Sequence, residues 1–246
     1  MNGVITMKKT LLILFLLIST VVFAGKNVNM NEQVFSALKA KAQKGDKNSQ
    51  FALGGMYYQG IITKQDHKLA AKMYAKAAKN GHTRAMFKLA IMYYNGDGVA
   101  KSNKKAITLF KQAAEKGDNK SAIRLANIYN NAKEYKKAFH LYKQVANAKY
   151  PIAQHKVGVM YKNGMGTKKD LKKAISYLSA SAAQSCSEAQ YTLGKMYLKG
   201  DEITKNKDKA RDLLKEAYLN GKMEAKIILD KQNWRVTAKV ITMPKE

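Results

Sequence analysis

Residue types able to do covalent or metal chemistry are scarce in this chain. The histidines are His67, His82, His140 and His155, and the single cysteine is Cys186. A helix offers two histidines to one metal when they sit about three or four residues apart, and no pair here is so spaced. There is no His-Glu-x-x-His, no phosphate-cradling Gly-x-x-x-x-Gly-Lys and no Gly-x-Ser-x-Gly. Asp97-Gly98 resembles the start of a calcium loop, but the oxygen ligands that should follow are missing. Cys186 lies between Ser185 and Ser187 at a turn, and a thiol nucleophile would need a histidine delivered by the fold. One cysteine also excludes an internal disulfide framework. These residues predict no catalysis, no cofactor and no metal.

Charge offers more. Lys+Arg number 45 against 17 Asp+Glu, a net charge of +28, so the chain must attract something anionic. Only Arg84, Arg124, Arg211 and Arg235 are arginines, whereas nucleic-acid readers favour arginine for bidentate contacts. Nucleic acid is therefore not the expected partner. An acidic protein surface is, or an anionic envelope component such as phospholipid head groups or cell-wall polymer. Such attraction fades with salt, because the Debye length is about 8 Å at physiological ionic strength.

What must position these charges is a repeat. Leu53, Leu89, Leu125, Val157 and Leu193 form a column with spacings of 36, 36, 32 and 36. Four residues before each stands Ser49, Ala85, Ser121, Ala153 or Ala189. One residue after stands glycine or alanine, and four after stands Tyr57, Tyr93, Tyr129, Tyr161 or Tyr197. Offsets of −4, 0, +1, +3 and +4 trace one face of an α-helix, here called helix A. The small residue at +1 lets a second helix approach closely.

That second helix, B, is marked by Ala70, Ala106, Ala138, Ala174 and Ala210, with a large apolar residue four positions on. Asp66, Ser102, Asp170 and Asn206 precede four of these alanines by four residues, where their side chains would serve as N-caps. Gly81, Gly117 and Gly221 suit the helix ends. In the third unit the step from Leu125 to Ala138 is 13 residues against 17 elsewhere, about one helical turn shorter. This predicts a tight turn there and locally altered curvature. Asn31 to Lys44 reads as a lone helix B, and Ala225 and Leu229 continue the helix A columns. Trp234 to Met243 is open between a short strand and a tail.

The N-terminus reads as an address. Lys8 and Lys9 precede an apolar run from Leu11, and Val22-Phe23-Ala24 offers a small residue at the cut. The run is too short for a comfortable span, which takes about 20 residues. Cleavage after Ala24 is expected, with periplasmic or secreted residence and no transmembrane segment afterwards. The expected organisation is a signal peptide over 1–24, a capping helix over 25–45, five repeats over 46–221, a capping helix over 222–233 and a tail over 234–246.

The strings Ala189-Gln190-Tyr191-Thr192-Leu193-Gly194-Lys195-Met196-Tyr197 and Asp170-Leu171-Lys172-Lys173-Ala174 closely resemble Sel-one-like repeats, the tetratricopeptide-related helix pairs. The resemblance covers about Ser49 to Gly221. It implies an all-α, right-handed α-solenoid of helix-pair repeats, five full ones plus two capping half-repeats. It also implies a scaffold or adaptor without a shared catalytic residue, and an A-helix lining of the concave side. On that side lie Lys88, Arg124 and Lys156 at offset −1, Lys195 at +2, and Tyr58, Tyr94 and Lys162 at +5. These seven are the expected partner-binding residues. The resulting expectation is an exported, non-enzymatic scaffold binding a protein partner with an acidic surface. The alternative is a periplasmic immunity or inhibitor protein that neutralises a secreted toxin. An envelope hydrolase would require a cleft with a perturbed carboxylate pair.

Overall fold

The computed structural model describes residues 30–200 and 203–236, and every regular element among them is an α-helix. The signal segment and most of the tail lie outside the described residues. The helices are α1 (Met30–Gln43), α2 (Lys47–Gln59), α3 (His67–Lys79), α4 (Thr83–Asn95), α5 (Asn103–Glu115) and α6 (Asn119–Asn131). They continue with α7 (Tyr135–Asn147), α8 (Pro151–Asn163), α9 (Leu171–Ala182), α10 (Ser187–Lys199), α11 (Lys207–Leu219) and α12 (Glu224–Lys231). Helices α2 to α11 form five A–B pairs, flanked by α1 and α12. The chain is thus an α-solenoid of helix-pair repeats.

Most helices of the first four helix pairs, and α11, start where the sequence supplies a capping side chain, whereas α7, α8, α10 and α12 start without one. Asp66, Asp170 and Asn206 accept the backbone N–H of Leu69, Lys173 and Lys209, and Ser102 accepts that of Lys105. Three A helices have caps of their own: Asp46 accepts from Ser49, Asp118 from Ser121, and the His82 imidazole Nδ1 from Ala85. The third repeat turns in three residues, with Lys133 at φ 60.

Two compact units divide inside α5, between Leu109 and Phe110. In the first, Leu53, Ala70, Tyr74, Ala77, Leu89 and Met92 are buried. A Cβ on Gly54 would stand 2.6 Å from the Tyr74 ring, so the missing side chain is what lets α2 and α3 pack. In the second unit, Tyr142, Val145, Val157, Met160 and Tyr161 anchor one cluster. Leu178 and Leu193 anchor another, and Leu214 and Leu229 a third, against which Trp234 and Val236 pack.

Buried glutamines link one repeat to the next. Gln50 donates to the Ala42 carbonyl and accepts from Asn80. Gln190 repeats the arrangement with Ala182 and Asn220. A buried amide satisfied on both sides fixes register without an unpaired polar group.

Candidate protein-binding surface

The seven expected residues sit in different surroundings. In the first unit Lys88 is exposed on α4 and Tyr94 is 42% exposed. Tyr58 is half-buried, with its ring stacked on His67 at 4.7 Å and 11°. Its hydroxyl also donates to the Asp97 carboxylate, which raises its pKa. In the second unit Arg124 and Lys156 are exposed and meet no carboxylate among the described residues. Lys162 is half-buried, and the Lys195 ammonium lies 4.7 Å over the Tyr191 ring. Lys88, Tyr94, Arg124, Lys156 and Lys195 are thus the exposed members, Lys195 while lying over a ring of its own helix, and Tyr58 is engaged inside the fold.

A second feature recurs in four of the five repeats. Lys105 stands over Tyr93 at 5.1 Å, Lys137 over Tyr129 at 5.2 Å, and Lys173 over Tyr161 and Lys209 over Tyr197 at 5.5 Å each. Each lysine occupies the first turn of a B helix, where the helix dipole disfavours a cation. The negative face of the ring offsets this. So do acids: Glu134 pairs with Lys137, and Asp170 with Lys173 at 3.0 Å, raising both lysine pKa values. In the first repeat Leu69 takes the lysine's place and Tyr57 meets Phe35 edge-on instead. The signal was in the sequence, as tyrosine–lysine spacings of 12, 8, 12 and 12.

These pairs border two grooves in the second unit. One, of about 800 Å³, runs between α5 and α7 over α6. Its floor is Ala114 and Leu125, with Tyr129 and Leu141 half-buried above them. Lys111, Lys136, Lys137, His140, Gln144 and Glu115 line its exposed walls. The other, of about 350 Å³, lies between α9 and α11 over α10. It is built from the same register positions, with Leu193 for Leu125, Tyr197 for Tyr129, Lys209 for Lys137 and Leu213 for Leu141. Its walls differ in charge: Asp212 replaces His140, Glu216 replaces Gln144 and Ser179 replaces Lys111. None of the seven expected residues lines either groove.

Three of the four histidines serve the fold, and His140 is exposed at the groove wall. His67 Nδ1 pairs with Asp97, thirty residues on in the chain, while its Nε2 is shut from solvent without a polar partner. With Gly98 against the His67 carbonyl, this pair fastens the loop of the second repeat to the first. His155 Nε2 lies 3.2 Å from Thr192 Oγ1, whose hydroxyl donates to the Glu188 carbonyl, so the imidazole is the donor. Cys186 is half-buried at the N-terminus of α10. Among the described residues no three His, Cys, Asp or Glu side chains gather as a metal site requires. No helix among them is long and apolar enough to cross a membrane.

Five successive segments, 47–82, 83–118, 120–150, 151–186 and 187–222, match the family model of the Sel1 repeat. The chain belongs to the Sel1 repeat family. Sel1 repeats generally mediate protein–protein interaction, and the family is typically one of non-enzymatic scaffolds. Among solved structures the chain is similar to c5321, described as a protective antigen of uropathogenic Escherichia coli with this repeat fold. There the identity is 26% and the TM-score 0.78, over 85% of this chain and 46% of that one. The chain thus spans less than half of that protein's length. It is similar also to a Sel1 repeat protein from Oxalobacter formigenes, with 28% identity and a TM-score of 0.74 over 81% of each chain. No curated protein matches the sequence.

Proposed function

We propose that the protein is an exported, non-enzymatic scaffold that binds a protein partner through an acidic patch on that partner. The observation that carries this reading is the set of exposed, unpaired cations on the A helices of a Sel1 repeat chain, Arg124 and Lys156 in the second unit and Lys88 in the first. Long-range attraction brings an acidic surface in, and contact residues then select it. Export rests on the N-terminal pattern of Lys8-Lys9, apolar run and Val22-Phe23-Ala24.

The test is capture from envelope and secreted fractions, with washes at low and high salt. A single stoichiometric protein surviving high salt is expected, and Arg124→Glu with Lys156→Glu is expected to release it without changing the melting temperature. Lys88→Glu, made separately, asks whether the first unit contributes. Retention of mixed anionic material that high salt removes would contradict the reading. Capture of a toxin whose activity the protein suppresses would narrow the scaffold to an inhibitor.

A further inference from the structure

Two grooves built from the same register positions of the repeat differ in charge, and that difference has a chemical meaning. Both put a half-buried tyrosine, with a lysine over its ring, above an apolar floor. In the third repeat the walls carry Lys111, Lys136 and Lys137 against one acid of the lining, Glu115. In the fifth they carry Lys209 against Asp212 and Glu216. The shared frame takes an apolar side chain, because desolvating it on Leu125 and Leu141 is favourable and Tyr129 supplies a rigid aromatic wall. The walls decide what may flank that side chain. Lys111 and Lys136 are exposed and no carboxylate among the described residues neutralises them. At about 800 Å³ the groove falls within the range of sites that bury a small ligand or a few side chains.

We propose that the groove of the third repeat binds a short acidic segment of a protein partner, anchored by an apolar side chain over Leu125 and Tyr129 and held by Lys111 and Lys136. The proposal rests on the protein-binding reading above and adds to the A-helix cations a second contact in the space between successive B helices. The groove of the fifth repeat, with its charge reversed, rejects the same segment. Repulsion at one copy of a shared frame and attraction at another is how a repeat protein places one ligand in one register.

The probe is a fluorescein-labelled peptide alternating glutamate with leucine around a central phenylalanine, read by fluorescence polarisation on the purified protein. Saturable binding is expected, with Lys111→Glu plus Lys136→Glu weakening it about tenfold or more. Lys68→Glu plus Lys72→Glu, the same change in net charge on exposed positions of α3, is expected to leave affinity within about twofold. Gln144→Trp, at a groove position exposed in the native chain, is expected to block the site without touching the core. No saturable binding, equal weakening by the two double variants, or equal binding of a peptide with glutamine for glutamate would each overturn the proposal. A captured partner retained by Lys111→Glu plus Lys136→Glu but released by Arg124→Glu plus Lys156→Glu would also overturn it, while leaving the broader reading intact.

Discussion

Gly98 lies against His67 so closely that a Cβ on the glycine would stand 2.3 Å from the histidine's carbonyl oxygen. Two repeats on, Gly166 meets the Tyr135 carbonyl in the same way, at 2.2 Å. Both glycines have positive φ, and both belong to loops that press on the B helix of the preceding repeat. Here the obstacle is backbone, which cannot swing aside as a side chain can. Gly98→Ala is expected to lose about 1–3 kcal/mol from the backbone conformation alone, and more from the collision. Gly81→Ala, also at positive φ but with nothing within 4 Å, should lose only that backbone cost of about 1–3 kcal/mol. Urea unfolding of the two variants separates the contributions.

The tyrosine column divides by burial. Tyr161 is 5% exposed, edge-on to Phe139 at 5.1 Å and stacked near Tyr177, whereas Tyr129 is half-buried at a groove wall. Tyr161→Ala should therefore cost about 3–5 kcal/mol, and Tyr129→Ala about half as much. Equal losses in calorimetry would mean that the groove is closed in solution.

Burial, reinforced by Lys156 and Lys222, pulls the His155 pKa down to about 4, with Glu188 opposing. The unfolded chain takes up that proton near pH 6.5, so between 6.5 and 4 the unfolded state binds more protons. The His155 contribution to stability should consequently fall as pH drops through this window, by up to about 3 kcal/mol, and that contribution levels off below it. His82, also lowered by burial while its Nδ1 accepts the Ala85 N–H, adds in the same direction. His155→Gln should flatten the slope of unfolding free energy between pH 7 and 4.5; an unchanged slope would place the titration elsewhere.

The lysine-over-tyrosine pairs should each be worth about 0.5–1 kcal/mol at these exposed positions. Lys105→Met and Lys209→Met, far apart in the chain, are expected to add nearly independently in thermal melts. A stabilising effect of either change would mean that relief of the helix-dipole penalty outweighs the ring contact.

The helix pairs were legible because the columns Leu53 to Leu193 and Ala70 to Ala210 repeat a local periodicity, and the caps at Asp66, Ser102, Asp170 and Asn206 need only near neighbours. Tyr58 carried no sign of its engagement, since His67 reaches it only when the A–B loop of its own repeat folds back and Asp97 only when the second repeat stacks on the first. The half-burial of Tyr57, Tyr93, Tyr129 and Tyr197 was hidden for the same reason: helical spacing tells which face a residue occupies, not how deep that face lies. The grooves depend on how side chains of successive B helices fill the space between them. Their opposite charge, once the register is known, can be read directly from His140 against Asp212 and Gln144 against Glu216.

Specific binding of a protein partner differs from diffuse attraction to polyanions in surviving high salt. The measurement that tests this most directly is light scattering on size-exclusion chromatography of the protein mixed with its captured partner in high salt. A single complex of fixed mass ratio, lost on charge reversal at the second unit's exposed cations, is the predicted result. Separate elution in high salt, with association only when screening is removed, would contradict it and leave the net charge of +28 as the whole of the interaction.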